Sequence, residues 1–385
     1  MKVAIICPYS FSVPGGVQNQ VRMQKNALQK RGIDARVIAP YYGPSREQGV
    51  YSIGEAKHFN INGSIAPVAA GKINATRTLE FLDLFNPDIV HLHEPLVPGP
   101  CWAALYGARA PLIATFHAAG KVNTSLQYIL KRPAQLALSK LSARIAVSEE
   151  AKRVIQPALG DDKDCEIISN AIETINFKGQ LTDKSRDPIR VFFVGRHEER
   201  KGLSVLLRAW SQLKTKNVEL RVAGDGPETD YLKSLDISNI KWLGRISDEE
   251  LRDEYTKASI LCAPALYGES FGVILLEAMA SHAIVLASDI NGYNQVATRE
   301  SAVLFEKANV ADLVEKLSSC IDEVESQSKW YRDKVADAYN FSREYDINTV
   351  IEKYIQKYNE VLESGKINLS LTDRSEAIKL ATTED

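Results

Sequence analysis

The feature that most constrains this chain is a repeated one. Short runs rich in Val, Ile and Ala alternate with longer stretches whose apolar residues recur at helical spacing. The runs are Val3–Cys7, Ala35–Ala39, Asp88–His93, Pro111–His117, Arg144–Ser148 and Cys165–Asn170. After a break come Arg190–Gly195, Val218–Gly224, Ile240–Gly244, Ser259–Ala263, Ala283–Asp289 and Ala302–Phe305. A strand that is apolar on both faces belongs in a parallel sheet covered by helices on both sides. The alternation predicts a doubly wound α/β fold. It occurs twice, and 385 residues are too many for one core, so two Rossmann-like domains in tandem are expected.

The break falls at Ala171–Pro188, polar and turn-forming, which places a linker at about residues 171–188. Near the end, Ile347, Val350, Ile351, Tyr354, Ile355, Tyr358 and Val361 mark an amphipathic helix over residues 345–362, and residues 363–385 read as a polar tail. Charge and cysteine usage exclude several classes. Lys and Arg number 47 against 49 acids, a net charge of -2, so no global field favours nucleic acid. The 5 cysteines are scattered and form no C-x-x-C, which suggests neither a disulfide framework nor a zinc site and fits a reducing cytoplasm. The apolar run in MKVAIICPYS is too short for a signal peptide, and no stretch approaches the ~20 apolar residues of a spanning helix. A soluble, cytoplasmic protein is the expectation.

Open α/β sheets bind ligands beyond the carboxyl ends of their strands, so the candidates are sought there. The first strand runs into CPYSFSVPGGVQNQ, where Pro14-Gly15-Gly16 turns without side chains ahead of a helix marked by Val17, Val21 and Leu28. Such a turn lets backbone N–H groups approach a phosphate; taken alone, a plain chain reversal is the simpler reading. It is not G-x-G-x-x-G, and Ala39-Pro40 stands where a dinucleotide fold needs a ribose-binding acid, so the dinucleotide reading fails.

In the second half, VFFVGRHEERKG places Arg196 and Lys201 just past a strand end, with Gly202 opening a helix. Two cations beside a helix N-terminus suit a diphosphate, although a solvated loop paired to Glu198 and Glu199 accounts for that stretch alone. The next strand ends in Gly224-Asp225-Gly226-Pro227, and the one after it at Gly244-Arg245-Ile246, with Ser247-Asp248 as a helix cap. The most informative stretch is ALYGESFGVILLEAMASHAIVLASD. Glu269 lies in a loop between Gly268 and Gly272, a helix is expected to begin near Phe271, and Glu277 falls about two turns inside it on roughly the same face. One loop carboxylate, free N–H groups and a second carboxylate can read a sugar, a diphosphate and a ribose. A paired-acid hydrolase is the weaker reading, because no dyad accompanies these acids.

The spacing Glu269-x7-Glu277 in ESFGVILLEAMA, with GRHEERKG and VAGDGP before it and ASD after it, resembles the nucleotide-sugar half of the family 4 glycosyltransferases. Those are retaining enzymes of the GT-B fold. CPYSFSVPGGVQ, HLHEP at His91–Pro95, the ATFH ending at His117 and RIAVSE at Arg144–Glu149 are similar to the matching elements of the other half. The likeness keeps its order over roughly residues 1–362 and is strongest to the bacterial branch that moves mannose from GDP-mannose to phosphatidylinositol. It implies two Rossmann-like domains facing a central cleft. Residues 1–170, joined by a C-terminal helix over 345–362 that crosses back, would bind the acceptor, and residues 171–344 the nucleotide-sugar.

The resemblance also implies residue roles. Gly15 and Gly16 would pack against the donor diphosphate, and Arg196 and Lys201 would neutralise the leaving phosphates. Gly195, Gly224, Ser270, Phe271, Gly272 and Val273 would line the donor, with Glu269 on the sugar hydroxyls, Glu277 on the ribose and the Ile246 backbone on the base. His117 would sit beside the reacting face of the sugar, which makes His117, Arg196, Lys201 and Glu269 the catalytic set; Tyr9, Gln18 and Asn19 would face the acceptor. No protein nucleophile, cofactor or metal is called for. The implied partners are GDP-mannose, with a UDP-sugar as the alternative donor, a lipid acceptor such as phosphatidylinositol, and an anionic membrane surface at the inner face of the cell membrane. One departure concerns the acceptor: Asn62-Gly63-Ser64-Ile65-Ala66 leads to Pro67 where that branch commonly has arginine.

Leu126, Ile129, Leu130, Leu136, Leu138 and Leu141, mixed with Lys121, Lys131, Arg132, Lys140 and Arg144, form a basic amphipathic segment that suits anionic lipid, with core packing as the competing account of the leucines and Pro133 breaking the helix. His91, His93, Glu94 and His117 fall at strand ends, but no ligand spacing typical of a metal accompanies them, so buried or positioning histidines are the expectation. A sugar-nucleotide epimerase lacks added acid/base carboxylates, and a dead nucleotide-binding homologue has no use for Arg196, Lys201, Glu269 and Glu277 together. A glycosyltransferase is the reading that absorbs all of these motifs.

Overall fold

The computed structural model describes residues 1–43, 47–61, 64–68, 71–118, 134–160, 164–177, 188–214 and 217–364. Residues 121–133 of the basic segment, the Asn62-Gly63 pair, linker residues 178–187 and the tail from residue 365 lie outside them. The chain divides into two units, Met1–Ala171 together with the stretch from Ile347, and Ile172–Asp346.

In the first unit, β1 (Lys2–Ile6), β2 (Asp34–Ala39), β3 (Val50–Ser52), β6 (Ile89–His93), β7 (Leu112–Phe116), β8 (Ala143–Ala146) and β9 (Glu166–Ile167) form a sheet in the order β3-β2-β1-β6-β7-β8-β9, every pair parallel. Side chains leave β1 alternately. Val3 and Ile5 enter a core with α1 (Gly16–Lys30), while Ala4 and Ile6 enter another with α2 (Lys72–Phe85), α3 (Pro100–Gly107) and α4 (Glu149–Leu159). The second unit repeats the plan. Strands β10 (Ile189–Val194), β11 (Val218–Ala223), β12 (Ile240–Gly244), β13 (Ile260–Ala263), β14 (Ile284–Ser288) and β15 (Val303–Phe305) lie parallel in the order β12-β11-β10-β13-β14-β15. On one face Val191 and Phe193 pack with α5 (Leu203–Trp210), α9 (Val310–Glu325) and α10 (Lys329–Ser342); on the other Phe192 packs with α7 (Asp248–Lys257) and α8 (Val273–Ala280). A short helix α6 (Thr229–Lys233) follows β11. These are two Rossmann-like doubly wound sheets.

The last helix, α11 (Ile347–Glu363), belongs to the first unit. Its buried Ile347, Val350, Ile351, Tyr354, Tyr358 and Val361 join the core that holds Val3 and Ile5. At about 1.5–3 kcal/mol for each large apolar side chain buried, roughly 10 kcal/mol of gross burial ties the helix there. Two elements have no counterpart among the expected strands. One is the three-residue edge strand β3, and the other an antiparallel hairpin, β4 (Lys57–Ile61) with β5 (Ser64–Val68), whose register pairs Ile61 with Ser64.

The order of each sheet reverses once, between β1 and β6 and between β10 and β13. At such a switch point the connections leave in opposite directions and open a crevice beyond the strand ends. Among the described residues no helix is long and apolar enough to cross a membrane.

Candidate active site

At the first switch point, β1 delivers Cys7-Pro8-Tyr9 and β6 delivers His93-Glu94. The loop after β1 is closed from below. Gln18 is buried and its amide nitrogen donates to the carbonyls of Ser10 (3.2 Å) and Val13 (3.3 Å), and the Phe11 N–H reaches the Pro40 carbonyl (2.9 Å). Gln18 thus shapes the loop that carries Tyr9. Asn19 is exposed, with its Oδ1 accepting from Arg22 (3.3 Å). Gly15 caps α1 in extended backbone (φ -170), and a Cβ built there would stand 2.3 Å from Oε1 of Gln18, the side chain that holds the loop. Gly16 is exposed, and a Cβ built on it would meet nothing within 4 Å. The fold itself therefore does not require glycine at position 16.

Three imidazoles from β6 and the end of β7 stack beneath this loop. His91 and His93 rings lie 4.6 Å apart and His93 and His117 rings 5.1 Å apart. His93 Nδ1 is 2.8 Å from His117 Nε2, His93 Nε2 is 2.9 Å from Gln24 Oε1, and His91 bonds Tyr358 (2.7 Å) and Thr115 (2.7 Å). Burial holds all three neutral, with His91 down at about 3, His117 at about 4 and His93 well below the usual histidine range. Ring nitrogens that bond one another and Gln24, Tyr358 and Thr115 make a hydrogen-bonded stack. Glu94, in left-handed backbone (φ 52), accepts the His117 N–H at 2.5 Å and that of Ala118 as well. Its burial beside Tyr9 and Cys101 outweighs those bonds and raises its carboxyl to about 7. The cavity touching His93 and His117, about 10 Å³, has room for one water at most, so the stack is packed rather than open.

The second switch point is charged. Gly195 ends β10, and Gly224 (φ 118) ends β11 so close by that a Cβ would stand 1.9 Å from the Gly195 carbonyl oxygen. Arg196 is exposed, with Nε 3.6 Å from Glu198. Lys201 Nζ donates to Glu269 Oε1 at 2.6 Å; Arg200 lies 2.6 Å from Glu198 and 3.5 Å from the same Glu269 oxygen, and donates to the Gly268 carbonyl (3.3 Å). Gly202, in left-handed backbone (φ 68), opens α5 and lets that turn press on the Pro264 carbonyl. Gly292 lets another loop press on the Glu269 carbonyl. The Glu269 loop is therefore gripped from two sides.

Helix α8 begins at Val273, capped by Gly272 (φ 91), and not near Phe271. Phe271 is instead a core side chain 5.6 Å from the Tyr345 ring, and Ser270 is half-buried. Glu277 consequently lies little more than one turn into the helix, short of the two turns expected. Burial raises its carboxyl to about 7, although the Tyr255 hydroxyl beside it acts the other way. Ile246 is half-buried and precedes Ser247, which caps α7 in a reciprocal box with Glu250.

Two family models match the chain: Glycosyltransferase Family 4 over residues 14–175, and Glycosyl transferases group 1 over residues 176–334. The chain is 31% identical over 382 residues to the phosphatidyl-myo-inositol mannosyltransferase of Mycolicibacterium smegmatis, covering 96% of this chain and 97% of that one. It is 33% identical to the protein of the same name from Mycobacterium leprae, covering 95% and 98%. The chain belongs to this glycosyltransferase family. Solved structures agree on the fold: a glycosyltransferase from Rickettsia africae superposes with a TM-score of 0.74 at 18% identity over 94% of this chain and 98% of the other. Anabaena HepE in complex with UDP gives 0.71 at 16% over 94% and 100%. The enzyme is thus a GT-B glycosyltransferase.

Sequence reasoning on the transferase missed Arg200, although its place beside Lys201 in GRHEERKG was a signal. It also missed Gln24 as the partner of two histidines, for which the local sequence carries none. In the basic segment, Leu138 and Leu141 are core residues and Arg144 donates to their two carbonyls (2.9 Å each), while Leu136 is exposed.

Proposed function

We propose that this enzyme transfers mannose from GDP-mannose, with retention of configuration, to a lipid acceptor such as phosphatidylinositol at an anionic membrane surface on the cytoplasmic side. The observation that carries the reading is the Lys201–Glu269 pair with Arg196 and Arg200 beside it, at the carboxyl ends of the switch-point strands β10 and β13. The relatives' shared name, along nearly their whole length, supports the sugar and the acceptor.

In this reading Arg196 and Lys201 bind the diphosphate, Glu269 holds sugar hydroxyls and Glu277 the ribose, with Gly195, Gly224, Ser270, Gly272, Val273 and the backbone of Phe271 and Ile246 lining the donor. The bond between the anomeric carbon and the β-phosphate oxygen breaks as the acceptor oxygen attacks from the same face. The acceptor proton passes to a leaving phosphate oxygen, giving GDP and the mannosyl lipid. Charge grows on the diphosphate as that bond breaks, and fixed cations already in place stabilise it without reorganisation. Gly15 and Gly16 also face the donor in this reading, and a Cβ built on Gly16 would meet nothing within 4 Å. His117 serves the sugar, and Tyr9 and Asn19 the acceptor, on the loop that Gln18 holds.

The test is a radiolabel transfer assay with purified enzyme, pairing GDP-mannose, UDP-glucose and UDP-N-acetylglucosamine each with phosphatidylinositol vesicles. Label from GDP-mannose in phosphatidylinositol is the expected result. Label only from a UDP-sugar, or only in another lipid of a crude extract, overturns the donor or the acceptor respectively.

A further inference from the structure

The buried polar groups under the first switch point form one directed chain. A neutral imidazole has one N–H and one bare nitrogen, so each ring passes on a direction. Gln24 sets it: its Oε1 faces His93 Nε2 (2.9 Å) and its Nε2 faces the Tyr358 hydroxyl (3.0 Å). The carbonyl oxygen only accepts, so His93 carries its proton on Nε2 and its Nδ1 is bare. His117 Nε2, 2.8 Å from that Nδ1, must then be the donor. On the other side Gln24 donates to Tyr358, Tyr358 donates to His91 Nδ1 (2.7 Å), and His91 Nε2 donates to Thr115 (2.7 Å). Every link is satisfied in one direction. Reversing it takes a flip of the amide and a proton shift in all three rings.

We propose that Gln24, His93 and Tyr358 are positioning residues that lock His117 as its Nε2–H tautomer, leaving Nδ1 as a neutral acceptor for a hydroxyl of the sugar. With Nε2 taken by His93, Nδ1 is the atom left for His117's other partner, the Asn170 side chain. In the substrate complex a sugar hydroxyl takes the place of Asn170 and donates to Nδ1. The Glu94 carboxyl, on the His117 N–H, fixes the backbone from which the ring hangs. His117 in this arrangement recognises an O–H rather than acting as a cation. The substrate part of the proposal rests on the transferase reading above; the tautomer part does not.

The experiment is ¹⁵N NMR of the histidine rings in the full-length enzyme, with His117 among the 6 histidines assigned by its loss in His117→Gln. Two-bond proton–nitrogen correlations are expected to show protonated Nε2 and bare Nδ1 in the wild type. Gln24→Leu, and more gently Tyr358→Phe, are expected to mix the two tautomers. Transfer then falls in kcat by roughly 10–100-fold for Gln24→Leu with little change in KM for the acceptor, the size usual for lost outer partners. Unfolding midpoints taken alongside separate this from collapse, and Tyr358→Phe, which removes one oxygen, keeps the test open if Gln24→Leu does not fold. A wild-type His117 protonated on Nδ1, or an unchanged tautomer in both folded variants, overturns the proposal. Wild-type enzyme that transfers no sugar, or His117→Gln with full activity, overturns the transferase role of His117 and leaves the tautomer result standing on its own.

Discussion

The two units share one fold and put opposite electrostatics at the same place in it. Beyond β1 and β6 lie neutral imidazoles, amides and hydroxyls with one carboxyl pushed up to about 7. Beyond β10 and β13 lie Arg196, Arg200 and Lys201 against Glu198 and Glu269. The difference follows from pairing. The buried histidines bond neutral partners, where an unpaired charge is too unfavourable to keep, whereas the cations of the second cluster each face a carboxylate. A crevice at a switch point is a position, and the chemistry it holds is set by the side chains that the flanking loops bring and by what pairs with them.

The sharpest way to break the comparison is to remove a charge from the second unit. Lys201→Ala, or Glu269→Ala, is expected to cut kcat/KM for transfer by at least about 10²–10³-fold, the range for a lost preorganised donor. The unfolding midpoint should fall as well, because the pair is mostly buried and removing one partner leaves the other's charge under-compensated, so transfer is read at a temperature where each variant is folded. A turnover that stays within a few-fold of wild type sinks the site assignment.

Acid should break the first unit before the second. In the folded state His91 and His117 titrate at about 3 and 4, and His93 lower than the usual range, whereas the unfolded chain takes up those protons near 6.5. The unfolded state binds more protons as pH falls, so stability present above about pH 6.5 is lost on the way to pH 4. Glu94 works the other way. Held up at about 7 when folded, its contribution is complete below about 4.5 and is lost as pH rises to 7. Three groups oppose one, so the net effect of falling from pH 6.5 to 4.5 is a loss of stability. In the second unit the lowered His197 is opposed by the raised Glu277 and Glu228, and the lowered Asp225, Glu250 and Glu300 give up their share only as pH falls through the carboxylate range. Hydrogen exchange followed by pH should therefore show amides of β6 and β7 losing protection before those of β10 and β13; the reverse order contradicts the assignment of neutral histidines.

Glycines sharpen the comparison at smaller scale. Gly224→Ala drives a Cβ to 1.9 Å from backbone at positive φ, and should destabilise by about 2–3 kcal/mol in urea unfolding. Gly16→Ala meets nothing, and stability should stay within about 0.5 kcal/mol of wild type or rise slightly. Its transfer rate should nonetheless fall, with a raised KM for the nucleotide-sugar donor. A Gly16→Ala enzyme that keeps both stability and KM removes this glycine from the donor site.

Much of this was legible in the chain itself. The central strands of both sheets announce themselves because a doubly covered strand must be apolar throughout, and Ile284–Ser288 or Leu112–Phe116 can be little else. Edges obey weaker rules. Strand β3 has three residues with Tyr51 exposed, and the β4–β5 hairpin carries polar residues on both arms, so neither has a buried periodicity to read, although Asn62-Gly63 between the arms is the commonest hairpin signal. At the site, Arg196, Lys201 and Glu269 stood out because charge next to glycine at a strand end is conspicuous. Tyr358 registered only as an apolar position of the last helix. Its hydroxyl finds His91 across 267 residues, and no local pattern encodes a partner at that distance.

The return of α11 has a consequence for how the molecule is made. The first 171 residues are synthesised without the helix that covers the face of Val3, Ile5 and Leu28, and the whole of Ile172–Asp346 must follow before Ile347 appears. At about 5–20 residues per second that interval is roughly 10–35 s. The chain enters and leaves the second unit side by side, with Ile172 bridged to Asp346, so that unit can close on itself meanwhile. The half that leaves the ribosome first is thus the half completed last, and a chain halted at residue 346 carries a finished second unit beside a first one whose His91 has no Tyr358.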